Sequence, residues 1–315
     1  MSKRDVLVMA APRDNAMVQL EAEYRLHRFD EAENPAALLA EVGASCETIV
    51  TNGHTDLTAE HLELLPNVKV VACASAGYET IDTDALQQRG IALTNSSDAL
   101  LDDVADLALL LTLATRRQLV AAHEYVRSGA WGREGMYPLM TSARGKRAGI
   151  LGLGKIGTAI AQRFEPLGFE IGYTTRTRRD VTYEYHADAL SLARWADVLV
   201  VVVPGGEATH HLIDRKVMEA LGPTGSLINV GRGTVVDEPA LIRSLQDGTL
   251  GSAGLDVFAS EPDVDSTLSS LPNVTLYPHH ASGTVESRDA MAQTVVDNLR
   301  AHYAGQPLPN VVPKP

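Results

Sequence analysis

The stretch that most constrains this chain is "AGILGLGKIGTAIAQRFEPLGFEIGYTTRTRRD", residues 148–180. A short apolar run leads into Gly152-x-Gly154-x-x-Gly157, a helical pattern follows, and a second apolar run closes the unit. Glycines at this spacing, after a strand and opening a helix, form the turn that holds a dinucleotide pyrophosphate. Gly152 permits the tight turn, Gly154 lets backbone approach the phosphates, and Gly157 lets helix and strand pack closely. The helix start adds N–H groups and the positive end of its dipole, so Leu153, Lys155 and Ile156 are candidate cofactor contacts with the three glycines.

A dinucleotide site of the NAD type carries an acid about 20 residues along, at the end of the second strand, to bond the ribose hydroxyls. Thr174 is 22 positions beyond Gly152, and no Asp or Glu stands there. Thr175, Arg176, Thr177, Arg178 and Arg179 follow instead. Hydroxyls and guanidiniums suit a 2′-phosphate, which an acid would repel. The expected cofactor is therefore NADP(H), with Thr175, Arg176, Thr177 and Arg178 at its phosphate.

The glycine unit continues a longer alternation. From "KRAGILGLG" through "EIGYTT", "DVLVVVVP", "GSLINVG", "SAGLDVF" and "NVTLYPHH", six strand-like runs alternate with helical patterns, as in a doubly wound sheet. Upstream, "DVLVMA", "CETIVTN", "VKVVACAS" and "IALTN" read as buried parallel strands of a smaller α/β unit over roughly residues 1–97. A long helix is expected from about Leu101 to Ser128, then a long loop, "GAWGREGMYPLMTSARG". A last helix, about Val285–His302, precedes a proline-punctuated tail. No short repeat or low-complexity segment is present. Two such units imply a cleft, where ligands usually bind.

With 315 residues and 33.8 kDa the chain is long enough for two cores. Its net charge of −13 and pI near 5.2 argue against nucleic acid as the main partner. Cys46 and Cys73 are too few and wrongly spaced for a disulfide framework or a thiolate metal site, so a reducing compartment is expected and no metal. The opening segment lacks the apolar core and cleavage site of a signal peptide. The most apolar helical run, "VADLALLLTLAT", is too short to span a bilayer and is interrupted by Asp106, so a cytoplasmic protein without membrane contact is expected.

Three further stretches end predicted strands, where open α/β sheets bind ligands. "LINVGRGTVVDEPAL" carries Arg232 between glycines, "SAGLDVFASEP" carries Asp256 and Glu261, and "LPNVTLYPHHASGTVES" carries His279 and His280. Arginine, acid and histidine together can reduce a 2-oxo acid. The guanidinium binds the carboxylate and polarises the carbonyl. Histidine donates a proton, a neighbouring carboxylate favours its charged form, and a nicotinamide brings the hydride.

Across essentially its whole length the chain resembles the D-isomer-specific 2-hydroxyacid dehydrogenase family, on "ASAGYETID", "VADLALLL", "GILGLGKIGTAIAQR", "LINVGRGTVVDEPAL", "AGLDVFASEP" and "LPNVTLYPHHASGT". Within it, "SSDALLDDVADLALLLTLATRR", "YVRSGAW" and "HHASGTVESRDAM" are similar to NADPH-dependent hydroxypyruvate, glyoxylate and hydroxyphenylpyruvate reductases. The resemblance implies two Rossmann-like or flavodoxin-like domains with doubly wound parallel sheets. A discontinuous substrate domain, 1–98 and 285–315, would flank a central NADP-binding Rossmann domain, 99–284. It implies Arg232 as substrate arginine, Glu261 as the paired acid, and His279, which follows the proline, as proton donor. Asp256 would bond the nicotinamide carboxamide, with Ser282 and Gly283 beside the ring. Val203, Pro204, Thr209, Val230, Gly231, Arg232 and His279 complete the cofactor contacts. Amides of Ser75, Ala76 and Gly77 would hold the substrate carboxylate, and Asn52 and Gly53 would line the pocket.

The implied activity is NADPH-dependent reduction of small 2-oxo acids, hydroxypyruvate and glyoxylate, to D-2-hydroxy acids. The implied assembly is a homodimer through the 101–128 helix and the Trp131–Met140 loop, which could reach the partner's active site. Aromatic 2-oxo acids are the alternative substrates, and a non-catalytic NADPH sensor on the same fold is an alternative role. A formate or phosphoglycerate dehydrogenase is disfavoured by the missing ribose acid and the lack of an added regulatory domain. A purely structural role would leave the Arg–Glu–His set unexplained. The chain departs from the family at "PGGEAT", Pro204–Thr209, where "PLTPET" is common, which puts glycines into a cofactor-facing loop. Asp102 and Asp103 are also unusually acidic for their place, as suits a helix start.

Overall fold

The computed structural model describes residues 3–312. The chain divides into two compact units, residues 1–100 with 282–315, and residues 101–281. Residues 1, 2 and 313–315, which the expected substrate domain includes, lie outside the described residues.

In the first unit, β1 (Asp5–Val8), β2 (Arg25–Arg28), β3 (Thr48–Thr51), β4 (Val70–Cys73) and β5 (Ala92–Thr94) form a parallel sheet in the order β2-β1-β3-β4-β5. "DVLV" and "VVAC" are apolar at every position because the sheet is covered on both faces. One face packs Leu7, Ile49, Val71 and Leu93 against Leu39, Leu62, Leu65 and Leu86. The other packs Val6, Val8, Val50 and Ala72 against Ala16 and Leu20 of the helix Asp14–Glu23, and Val295, Val296 and Leu299 of the helix Val285–Tyr303. The last helix therefore completes the core begun by the first hundred residues. That is why this unit is discontinuous in sequence.

In the second unit, β6 (Arg147–Leu151), β7 (Glu170–Thr174), β8 (Glu184–Tyr185), β9 (Val198–Val201), β10 (Ser226–Asn229), β11 (Ser252–Leu255) and β12 (Val274–Leu276) form a second parallel sheet. Its order is β12-β11-β10-β9-β6-β7-β8. The chain winds outward from β6 to β8 and then restarts on the other side of β6 at β9. The switch point of this sheet is therefore the pair β6 and β9. Register aligns the carboxyl ends: Leu151, Val201, Asn229, Leu255 and Leu276 stand in one row.

The strands β2 and β8 go beyond the expected set. β2 reads "RLHR" and β8 is two residues, both on sheet edges where apolar alternation is not demanded. The helix expected over 101–128 is two helices, Leu101–Arg116 and Leu119–Arg127, broken where Gln118 turns left-handed at φ 47°. The expected loop after it begins with a helix, Ala130–Glu134, bounded by Gly129 and Gly135 at φ 73° and 89°. Asp102 and Asp106 pair with Arg163, which explains acid at that helix start. Among the described residues no helix is long and apolar enough to cross a membrane.

Candidate active site

The aligned strand ends of the second unit deliver the predicted residues to one sheet edge. Gly152 is one residue past β6, Val203 two past β9, Arg232 three past β10, Asp256 one past β11 and His279 three past β12. Strand pairing fixed by a buried core thus gathers residues that lie more than a hundred positions apart in sequence.

The glycine turn explains its own composition. Gly152 has φ 105°, which L side chains rarely adopt, and a Cβ there would stand 2.8 Å from Val203 Cγ1 of the neighbouring strand end. A Cβ on Gly157 would collide with the carbonyl oxygen of Gly152, so the helix Lys155–Phe164 can start this close only with glycine. Gly154 differs: nothing in the protein lies within 4 Å of a Cβ placed on it. The helix also opens at Gly154 without a side-chain cap. Leu153 and Val230 are buried, so only their backbones can face a ligand. A turn with open space at its middle glycine and an uncapped helix start fits a pyrophosphate.

The 2′-phosphate candidates lie beside this turn, because Gly152 N–H donates to Thr174 O at 3.0 Å. The following loop is pinned at both ends. Thr175 Oγ1 donates to Thr177 O at 2.7 Å, so that hydroxyl proton is used within the loop. The buried Tyr173 hydroxyl donates to Arg179 O and accepts from Arg179 N. Arg176, Arg178 and Arg179 project into solvent, and Arg178 lies over the Tyr185 ring at 5.8 Å. The "PGGEAT" loop is tied despite its glycines, since Thr209 Oγ1 donates to Pro204 O at 2.8 Å.

The three chemical groups are built into backbone that leaves them little freedom. His279 Nδ1 meets Glu261 Oε2 at 2.5 Å, and the other Glu261 oxygen accepts from Phe258 N–H at 2.8 Å. Burial pushes the Glu261 carboxyl up. The bonds from His279 and Phe258 and the charges of His279 and Arg232 outweigh that, so it sits below its ordinary value. His279 is left-handed at φ 48° and is fixed by its N–H, which donates to Asp256 O at 2.7 Å. The adjacent His280 contributes its N–H to Asp256 Oδ1 at 2.8 Å, and Ala281 N–H reaches Oδ2 at 3.1 Å. The first described role of Asp256 is thus to clamp the loop that carries His279. Burial raises its carboxyl above the ordinary value against the pull of those two amides. Arg232 Nη1 donates to Gly231 O at 2.7 Å, and Asn229 holds both Gly231 N–H and Arg232 O. The flanking glycines are required by close approach. A Cβ on Gly231 would stand 2.8 Å from Val203 O, and one on Gly233 would enter the Phe258 carbonyl.

Glu238, which the sequence reading passed over, belongs to this construction. It is buried, and Oε2 accepts from Ala259 N–H at 2.9 Å. In sequence it looks like any acid at the start of a helix.

The candidate carboxylate loop lies in the first unit. Ser75 Oγ accepts from Gly53 N–H at 3.1 Å, and Asn52 Oδ1 accepts from His54 N–H and Thr55 Oγ1. The carbonyls of Ser75 and Ala76 are bonded by Ser96 N–H and Asn95 Nδ2. Among the described residues the Ala76 and Gly77 amides meet no acceptor. The buried Cys73 thiol, pushed up to about 11 mainly by burial, lies under this turn and donates to Gly77 O. Ser282 and Gly283 also belong to the first unit, immediately before the helix capped by Thr284.

A glycine turn with room for a pyrophosphate and a carboxylate-held histidine thus stand along the carboxyl ends of one parallel sheet. The sequence profile of the D-isomer specific 2-hydroxyacid dehydrogenase NAD binding domain matches residues 109–281, and the chain belongs to that family. Its cofactor is accordingly a nicotinamide dinucleotide. The chain is 45% identical over 304 residues to a glyoxylate/hydroxypyruvate reductase A of Arabidopsis thaliana, covering 96% of this chain and 97% of that one. It is 42% identical, over the same shares of both chains, to the hydroxyphenylpyruvate reductase of Plectranthus scutellarioides. The crystal structure of an NADPH-dependent glyoxylate/hydroxypyruvate reductase from Sinorhizobium meliloti, in complex with NADP and malonate, superposes with a TM-score of 0.88. It is 38% identical and covers 99% of this chain and 97% of that one.

Proposed function

We propose that this enzyme reduces small 2-oxo acids, hydroxypyruvate and glyoxylate, to D-2-hydroxy acids with NADPH. The observation that carries the reading is the 2.5 Å His279–Glu261 pair on the same strand-end row as Arg232. The second unit is the dinucleotide domain and the first the substrate domain.

Arg232 receives the substrate carboxylate and polarises the 2-oxo group through its planar fork. The glycine turn would hold the dinucleotide by its pyrophosphate, and its reduced nicotinamide would supply the hydride. His279 Nε2 delivers a proton to the oxygen as it becomes an alkoxide. Glu261 on Nδ1 fixes the ring orientation and stabilises the charged imidazolium before transfer. Afterwards the neutral ring keeps its Nδ1–H on Glu261, ready to take the next proton from solvent.

NADPH preference is supported by the Arg176–Arg178 loop, by the absence of an acid at the end of β7, and by the NADP bound in the Sinorhizobium relative. An aromatic 2-oxo acid is a second reading, favoured by the Plectranthus relative. The deciding experiment is the initial rate of cofactor oxidation, NADPH beside NADH, with hydroxypyruvate, glyoxylate and hydroxyphenylpyruvate. Fast NADPH-selective turnover of the small acids is expected. Turnover with NADH alone would overturn the cofactor assignment, and NADPH binding without turnover of any acid would make the protein a sensor.

A further inference from the structure

We propose that Glu238 is a positioning residue for the catalytic groups, acting through the Phe258–Ala259 peptide; the inference rests on reading His279, Glu261 and Arg232 as those groups. Glu238 is the first residue of the helix Glu238–Gln246, where an acid needs only to face solvent to benefit from the helix dipole. It is 8% exposed instead. The capping task is already performed by its neighbour, since Asp237 Oδ1 accepts from Ala240 N–H at 3.0 Å. A carboxylate withdrawn from water needs hydrogen bonds in exchange, and the bond that Glu238 makes is to the Ala259 amide at 2.9 Å.

Phe258 is where the two halves of the site meet. Phe258 N–H is held by Glu261 Oε1, the carboxylate whose other oxygen orients His279. The Phe258 carbonyl presses on Gly233, the residue after Arg232, leaving no room for a Cβ. Ala259 N–H, on the far side of the same peptide unit, is the group Glu238 anchors. A rotation of this peptide would move the Gly233 contact directly and, because the Val257–Phe258 peptide whose N–H binds Glu261 shares the Phe258 Cα with it, would disturb that anchor as well. Asp256 performs the equivalent service for the His279 loop through two amides, so the site rests on three carboxylates that each bind backbone N–H. Glu238 alone of the three has no expected contact with cofactor, substrate or the histidine.

The test compares Glu238→Ala, Glu238→Gln and His279→Gln in the full-length protein, with hydroxypyruvate and NADPH. Glu238→Ala should lower kcat about tenfold while KM stays within about twofold, because misplacement affects the reacting geometry more than ground-state binding. Its residue 259 amide should exchange faster with deuterium. Glu238→Gln, whose amide oxygen still accepts, should recover most of kcat. Wild-type kcat in Glu238→Ala, or failure of a folded Glu238→Gln to rescue, overturns the proposal. Should Glu238→Ala not fold, Glu238→Asp, one methylene short, replaces it, and an unchanged kcat there overturns the proposal equally. His279→Gln separates the two readings: if it keeps turnover, the catalytic assignment itself fails. If it is dead while Glu238→Ala is fully active, only the Glu238 inference fails.

Discussion

At the scale of single residues, the Glu261 carboxyl carries a measurable pH signature. Burial raises it, but the His279 bond and nearby positive charge bring its folded value below the ordinary one. A depressed carboxyl adds stability that is fully present above the unfolded value, about 4.3, and is lost as pH falls through the folded value. The gap in thermal unfolding midpoint between wild type and Glu261→Gln should therefore be widest near neutrality and close below about pH 4. The side chain is 31% exposed, so solvent screens the pair and the gap will be modest. A gap that stays flat from neutrality to pH 3 would contradict the pairing. The arginine loop makes a separate prediction. Arg176→Ala and Arg178→Ala should each weaken NADPH binding about tenfold, the worth of a charged hydrogen bond, and leave NADH unaffected. Titration calorimetry on the two cofactors checks it, and equal losses for both would assign these residues to loop structure instead. Residue identity alone could nominate an arginine, an acid and a histidine at the strand ends, but choosing Glu261 over Asp256 and His279 over His280 took the family resemblance. Nor could residue identity reveal that Asp256 also clamps the His279 loop, because the amides of His280 and Ala281 that it binds carry no sequence signal.

At the scale of elements, the glycine turn yields a contrast between two positions of one motif. Gly157→Ala places a methyl in the Gly152 carbonyl, so the helix Lys155–Phe164 must shift and both stability and cofactor affinity should fall. Gly154→Ala meets no protein atom within 4 Å and has φ −83°, which alanine adopts freely. Its unfolding free energy should stay within about 0.5 kcal/mol of wild type while dinucleotide affinity falls at least about tenfold. Differential scanning fluorimetry with and without cofactor reads both, and full affinity in Gly154→Ala would show that the pyrophosphate does not approach there. The elements themselves were legible where both sheet faces are buried, since "DVLV", "VVAC" and "VLVV" can hardly be anything but inner strands. They were illegible at the sheet edges, where "RLHR" has no reason to alternate. The break at Gln118 also left no mark, because neither proline nor glycine stands there and the Tyr137 hydroxyl that donates to its Oε1 is remote in sequence.

At the scale of the whole molecule, surplus negative charge and a locally apolar surface point in different directions. A net charge of −13 repels copies of this chain from one another at long range, so association needs a compensating apolar contact. The segment after the helix Leu119–Arg127 offers one, with Leu139 93%, Met136 84% and Trp131 61% exposed. It is a shaped surface and not a loose tail, for Tyr125 and Tyr137 meet edge to face at 5.2 Å and the Tyr125 hydroxyl donates to Gly135 O. Leu119, Val120 and Val126 of the preceding helix are exposed as well. Apolar side chains held outward by ordered backbone mark an association surface. On the family resemblance the predicted occupant is a second copy, and a stable dimer would need to bury about 1,600 Å² in total. Sedimentation equilibrium should give twice the chain mass of 33.8 kDa at micromolar concentration. The pair Met136→Glu and Leu139→Glu should shift that to the single-chain mass without lowering the unfolding midpoint of the monomer. A wild-type protein that sediments as one chain would remove the dimer, and with it any role for this segment in a partner's active site.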